Sequence, residues 1–554
     1  MKRLSLLLLT TGIVFCGAEP VNAGSKSSST NHIFNILRYG AVGNGLTKNT
    51  EAIQKAIEAC VKAGGGTVWV PAGKFLTGPI NLKSNMTLHV DAGARLLFSQ
   101  DVSDYRTVQS RWYGIEQHGF SPCIFAEGCE NISITGRGII DGQGLSWWKL
   151  FRQKPRERPE YVRKRRSEFM RLTREKFGHE QTRFGRPQLV QLRNCRNVLI
   201  EGVTLTRAAF WVLCPLYCEN VTIDAVTIAS PPDSPNTDAL GIDSCRNVRI
   251  SNCYFVAGDD CIVIKAGRDK DGRRVNRPSE NIVITNCIMA QGHGGVVIGS
   301  EMSAGVKNVV IDNCIFTGTD RGIRLKSRRG RGGLVEDIRA NNIIMKDVLC
   351  PFTINMFYFK PVDDSKSEVT VGTPVFRNIH FSNITVRNAN YGGFFTGLPE
   401  LPVERITFSN VYIDATKGRA REKSGGSEED YNHIPAMADG YDIVEGFFCK
   451  NIKDIEFHNV QVDTKRGPAF IFENVENLQI DGFKTGTLHS SVPAIELRRV
   501  KAASIDTQGP FKAKGPFIKI SGAETRDIFI SDKITRHKEA VIREADVGKD
   551  ALVH

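Results

Sequence analysis

The stretch Gly258–Gly267, GDDCIVIKAG, sets two carboxylates side by side at the mouth of a short alternating run. Ile262 and Ile264 share a parity and should point inward, as should Leu240 and Ile242 in NTDALGIDS. Asp260 stands two residues before Ile262, Asp238 two before Leu240, and 260 − 238 = 22, close to one turn of a stacked coil. Asp238 and Asp260 would then lie one above the other, about 5 Å apart, with Asp259 beside them. Strict alternation would turn both inward, so a bend is expected just before each strand. In GHGGVVIGSE, inward Val296 and Ile298 leave His293 at the place of Asp259; in RGIRLK, inward Ile323 and Leu325 turn Arg324 and Lys326 outward. Carboxylates this close cannot all ionise easily, so one pKa rises and supplies a general acid, while ionised neighbours hold and deprotonate a water. Glycoside hydrolysis needs that pairing, and the flanking cations suit an anionic sugar.

The elements that must position these groups come from an internal repeat. CENISI, CRNVLI, CENVTI and CRNVRI begin at Cys129, Cys195, Cys218 and Cys245, and the phrase continues as SENIVI and VKNVVI. Its asparagines fall at 197, 220, 247, 281 and 308, in steps of 23, 27, 34 and 27. Each repeat holds short strands with polar corners and no helical pattern, so the units must stack to bury a face. A coil of about 25 residues with asparagine at a fixed corner predicts an all-β, right-handed parallel β-helix with an asparagine ladder. The leucine spacing of a horseshoe solenoid is absent. Asn49–Gly66 reads as an amphipathic helix, with Ile53, Ala56, Ile57, Cys60 and Val61 on one face, expected to plug the open end of the coil.

The organisation expected is a signal peptide over residues 1–23, with Lys2 and Arg3 before an apolar run, followed by a single β-helix domain over 24–554. A basic insertion, residues 146–187, interrupts the period; it is either a solvated basic flank or a wall of the substrate cleft. Trp147 and Trp148 within it anchor the insertion or stack on sugar. The tail from about residue 535 is expected to cap the far end. The 14 cysteines fall at repeated positions, which predicts stacked buried thiols rather than a dense disulfide framework. A net charge of +13 suits an anionic partner: acidic polysaccharide, nucleic acid or lipid headgroups. No stretch after the leader reads as transmembrane.

NTD, GDDC, GHG and RLK, in this order and spacing, resemble the polygalacturonases, family 28 of the glycoside hydrolases. YGAVGNGLTKNTEAIQKAI and VPAGKFLTGPINLKSN are similar to the start of secreted bacterial members, exo-acting ones included. The likeness runs from about Phe34 to about Phe483. It implies inverting hydrolysis of α-1,4-galacturonosidic bonds in pectin, without cofactor or metal, by an exported monomer that neither binds nucleic acid nor enters a membrane. Carried over by motif, Asp259 is the general acid, Asp238 and Asp260 activate water, His293 tunes the acid, and Arg324 and Lys326 bind substrate carboxylates. The resemblance also implies a Cys261–Cys287 disulfide. Ala239 and Gly241 replace the glycine and acidic residue usual after NTD, which leaves fine specificity open. Arg328, Arg329 and Arg331 read equally as extra uronate subsites or a solvated turn, and the parity of Tyr358 is unclear. The long insertion favours exo over endo action. The rivals are a rhamnogalacturonan-directed hydrolase, a calcium-dependent pectate lyase on the same fold and a non-catalytic polysaccharide-binding β-helix.

Overall fold

A computed structural model describes residues 32–179, 185–417, 445–486, 491–508, 515–537 and 539–553. The expected leader lies outside the described residues. Among the described residues, 38 strands join one continuous parallel sheet wound into a right-handed parallel β-helix. Its rungs are in register: Val198 pairs with Val221, then Val248, Ile282, Val309 and Ile338, so one aliphatic column runs up the interior. Later coils replace aliphatic with aromatic filling, where Phe408 stacks on Phe381 and Phe457 at 4.6 and 5.1 Å between ring centres.

The corner asparagines do what their spacing predicts. From Asn131 through Asn197, Asn220, Asn247 and Asn281 to Asn308, each side-chain amide donates to the asparagine one coil earlier at 2.8 to 3.1 Å. Every one of them has φ between 55° and 58°, a left-handed conformation that asparagine tolerates better than other non-glycine residues.

Helix α1 (Thr50–Lys62) forms and buries Ala52, Ile53, Ala56, Ile57 and Cys60 against the first strands. Val61, expected on that face, is 44% exposed. Asn49 precedes the helix without a side-chain cap; its amide instead ties Val42, Thr47 and Leu76 together. The tail continues the coil with strands Val541–Arg543 and Leu552–Val553, which pair on Ile518 and Ile528.

The cysteines stack. Cys129, Cys195, Cys218 and Cys245 form one column of contacting thiols, and Cys253, Cys287 and Cys314 a second. The Cys261–Cys287 disulfide does not form. Cys261 donates to the Gln291 carbonyl at 3.0 Å, whereas Cys287 belongs to the second column, held by its own repeat position. All thirteen cysteines of the described residues are free and buried. Titration in denaturant without reductant should therefore find every one of these thiols, and close to none in the native protein. Two fewer in denaturant would restore the bridge.

One element has no counterpart in the sequence reading. Thr107–Trp112 and Ile115–Phe120 form an antiparallel hairpin outside the coil. Its base is drawn together by Ser121 N donating to Arg106 O at 2.8 Å, and its tip is Tyr113–Gly114.

Candidate active site

The bend expected before the strands is present, and small residues make it. Ala239 and Leu240 both lie in the core, as do Cys261 and Ile262, so alternation breaks once in each coil and returns Asp238 and Asp260 to the outer face. In the next two coils the residue at that place is Gly295 or Gly322, where an added Cβ would meet Phe316 or the Met345 sulfur inside the coil. A larger side chain there would be driven into packed core. Gly322→Leu should lower the melting temperature clearly, with Arg324 and Lys326 displaced; an unchanged melting temperature would show that the coil yields.

Carboxylate oxygens of Asp238, Asp259 and Asp260 all lie within 4.8 Å of one another. His293 stands beside Asp259 as its position predicts. Its backbone N–H donates to Asp259 O at 2.8 Å, and Nδ1 is 3.2 Å from Asp259 Oδ1. Lys326 Nζ meets Asp260 Oδ2 at 2.9 Å. Arg324 is buried beside it, and the Tyr358 ring lies 5.7 Å from the guanidinium carbon and 5.3 Å from Lys326 Nζ. Each of the sequence-predicted site residues is therefore in one cluster, and Tyr358 joins them.

Sequence reasoning missed Lys265 and Glu301. Lys265 Nζ lies 3.4 Å from Asp238 Oδ2, 3.4 Å from Glu301 Oε2 and 4.3 Å from the centre of the Trp211 ring. Its outward parity, two residues past Val263, was the available signal.

Two like charges 4.8 Å apart repel by about 3 kcal/mol at an effective dielectric of about 20, so the counter-ions decide which carboxylates ionise. Asp260 has Lys326 and Asp259 has His293, whereas Asp238 shares Lys265 with Glu301. Burial, then the Asp259 charge, pushes Asp238 up to about 8. Burial would also raise Asp259, but the His293 imidazolium and the two lysines outweigh it and hold Asp259 well below the usual range. Burial opposes charge on His293 too, yet Asp259 carries it up to about 9. The raised carboxyl of the resting site is thus Asp238, not Asp259, because the imidazolium sits on Asp259.

In the unfolded chain Asp238 ionises near pH 4, and in the native site only near 8. Between those values the native state binds more protons than the unfolded one, so this group's contribution to stability falls as pH rises. The melting temperature of Asp238→Asn relative to wild type should therefore climb from pH 4 to pH 8. A gap that is flat or narrows would mean Asp238 is ionised in the folded protein at neutral pH.

The model for glycosyl hydrolases family 28 matches residues 173–425, and one described as rhamnogalacturonase A/epimerase, pectate lyase-like matches residues 33–149. A probable polygalacturonase of Vitis vinifera is 32% identical over 70% of this chain and 76% of its own length. An exo-poly-alpha-D-galacturonosidase of Dickeya chrysanthemi is 30% identical over 81% of this chain and 74% of its own. This chain belongs to glycoside hydrolase family 28. Among solved structures, a hyperthermoactive exopolygalacturonase from Thermotoga maritima superposes with a TM-score of 0.63 at 36% identity, covering 70% of this chain and 88% of that one.

In this family 28 glycoside hydrolase aromatic side chains cover the earlier-coil side of the carboxylate cluster and form a wall there. Leu213 pairs with Leu240, and Leu240 with Ile262, so Trp211 occupies, one coil earlier, the place held by Asp238 and then Asp260. The hairpin folds over it: Trp112 and Tyr113 form a small apolar cluster with Phe210, Trp211 and Cys214. A Cβ on Gly114 would come within 2.7 Å of Arg268 and 2.8 Å of Glu301, and only its absence lets the tip close. Arg268 N donates to Gly114 O at 2.8 Å, and Arg111 reaches Asp243 at 2.8 Å.

The basic insertion braces this wall. Helix α3 (Glu160–Phe177) packs on the hairpin strand Ile115–Phe120, and Trp147 of α2 (Leu145–Arg152) meets Phe120 edge-on at 5.2 Å. Thr173 Oγ1 accepts from His118 N at 2.9 Å, and Phe169 meets Phe120 edge-on at 4.9 Å. Trp147 and Trp148 are buried anchors, Trp148 Nε1 donating to Ala208 O at 3.0 Å. Arg329 and Arg331 hold loops: Arg329 grips Glu400 at 2.7 and 2.8 Å, and Arg331 meets Asp269 at 2.5 Å.

Proposed function

We propose that this enzyme hydrolyses α-1,4-galacturonosidic bonds in polygalacturonate or galacturonate oligomers with inversion, working from a chain end. The observation that carries the reading is three carboxylates within 4.8 Å of one another, with Arg324, Lys326 and Lys265 beside them. Hydrolysis takes the carboxylates, and an anionic sugar takes the cations.

The roles follow exposure. The Asp259 side chain is 21% exposed, against 4% for Asp238 and 2% for Asp260. Asp259 alone of the three reaches a leaving oxygen in the groove, so it donates the proton. A uronate over Arg324 and Lys326 neutralises charge that holds Asp259 down and excludes water, and both effects move the shared proton from His293 to Asp259. Asp238 and Asp260 hold the attacking water. The carboxyl separation is shorter than the ~6.5–9.5 Å usual for inversion. Both water-side carboxylates are nonetheless too deep to attack an anomeric carbon themselves, whereas a water resting on them is not.

Exo action is supported by the wall of Trp211 and the hairpin on the earlier-coil side, and by the names of the Dickeya and Thermotoga relatives. A calcium-dependent lyase fits less well, since Lys265 and Lys326 already supply positive charge at Asp238 and Asp260. Among the described residues no helix is long and apolar enough to cross a membrane. The expected leader over residues 1–23 would export the enzyme, which we take to act as a monomer.

Incubation with polygalacturonate and with galacturonate oligomers tests the reading. New reducing ends without ultraviolet-absorbing unsaturated products, and small product from the outset, are expected. Unsaturated products mean a lyase, cleavage of rhamnogalacturonan alone in a parallel incubation means a rhamnogalacturonan-directed hydrolase of the same family, and binding without turnover means a passive solenoid. Proton NMR of the first product should show the β-anomer; the α-anomer would end the inverting mechanism.

A further inference from the structure

We propose that Lys265 reads the end of the substrate chain: its ammonium binds the carboxylate of the terminal uronic acid lodged against the wall. The inference rests on the exo-acting hydrolase reading above. Lys265 Nζ stands against Asp238 and against the Trp211 ring of the earlier coil, and the hairpin tip at Gly114 lies against its other partner, Glu301. Its side chain is 8% exposed. Its two carboxylate contacts, to Asp238 and Glu301, are both 3.4 Å, longer than the ~2.7–2.9 Å of a tight charge-assisted hydrogen bond. An ammonium shared loosely between two anions is held in place but not consumed, and it can move onto a third.

Geometry makes this the terminal residue rather than an interior one. Asp238, on the water side of the reaction, belongs to the coil next to the wall, and Trp211 fills its place one coil earlier. The acid Asp259 lies one coil farther from the wall, so the sugar attacked by water lies toward the closed side, its free end is the non-reducing one, and the departing polymer runs past Asp259 over Lys326 and Tyr358 toward later coils. Glu301 is the stand-in anion. Burial would raise its carboxyl, but Lys265 and Arg331 keep it ionised, so it holds the ammonium when no uronate is bound. A neutral terminal sugar would leave Lys265 on Glu301 and gain nothing from it. A terminal carboxylate would draw it inward.

The test compares two galacturonate oligomers, one ending at its non-reducing side in free galacturonate and one whose terminal residue is the methyl ester. Wild type should prefer the acid-ended oligomer by ~10-fold or more in kcat/KM, the scale of one recovered ion pair. Lys265→Met should bring that ratio close to one, mainly through KM on the acid-ended substrate. Glu301→Gln, which leaves Lys265 with one anion fewer, should lower KM for the acid-ended oligomer. If Lys265 is only the counter-ion of Asp238, Lys265→Met slows both substrates alike and the ratio persists; that result overturns the proposal. So does a wild-type enzyme indifferent to the ester. If wild type hydrolyses neither oligomer, it is the hydrolase reading that has failed. Circular dichroism melts show whether each variant is folded.

Discussion

Asp259→Asn is expected to lose polygalacturonate hydrolysis by ~10²- to ~10⁴-fold, the range for a general acid, while the coil stays folded. Asp259 is the partly exposed member of the trio, and its partner His293 stands 3.2 Å away, so asparagine preserves shape and removes the transferable proton. The loss should depend on the leaving group. A galacturonide with a phenolate leaving group of low pKa needs little protonation, and Asp259→Asn should recover most of its rate on it. Asp238→Asn should not recover, because activation of water is still required. Equal impairment on both substrates would remove Asp259 from the acid's role, and recovery by Asp238→Asn instead would exchange the two. His293→Ala should behave as a milder Asp259 variant, since it removes the proton's resting place and leaves the carboxylate.

Opening the wall should have the second large effect, on products rather than rate. Gln109 and His118 face each other across the hairpin, so residues 110–117 can be replaced by Asn-Gly, a two-residue turn suited to such a junction. The shortened hairpin lacks Trp112 and Tyr113, which cover Phe210 and Trp211, and the tip at Gly114 that closes on Arg268 and Glu301. Polymer should then pass through on the earlier-coil side. The expected result is a ladder of oligomers in place of small product, and a several-fold greater loss of viscosity per bond cleaved. The excision also removes Arg111 from Asp243, which costs stability, so Tyr113→Ala serves as a gentler version with a partial shift. Unchanged product size from a folded, shortened variant would show that the hairpin is not what stops the chain.

The coil and the carboxylate cluster were legible in the sequence because both are periodic. Asparagines at steps of 23 to 34 residues mark corners, and a solenoid turns sequence offset directly into height. Residues at the same place in successive turns must stack, so Asp238, Asp260 and Asp259 with His293 were brought together by counting. The family-level disulfide between Cys261 and Cys287 failed against the same periodicity, since Cys287 belongs to a column of its own.

What only the tertiary structure decided lies outside the period. The hairpin over Trp211 and the Glu301 that shares Lys265 with Asp238 lie on segments that leave the coil and return to it. No repeat constrains where such a segment lands. Its place is set by packing, as Tyr113 finds Trp211 and Gly114 admits Glu301, and electrostatics then follow from which cation reaches which carboxylate. Local pattern carries that information only after the chain has folded around it.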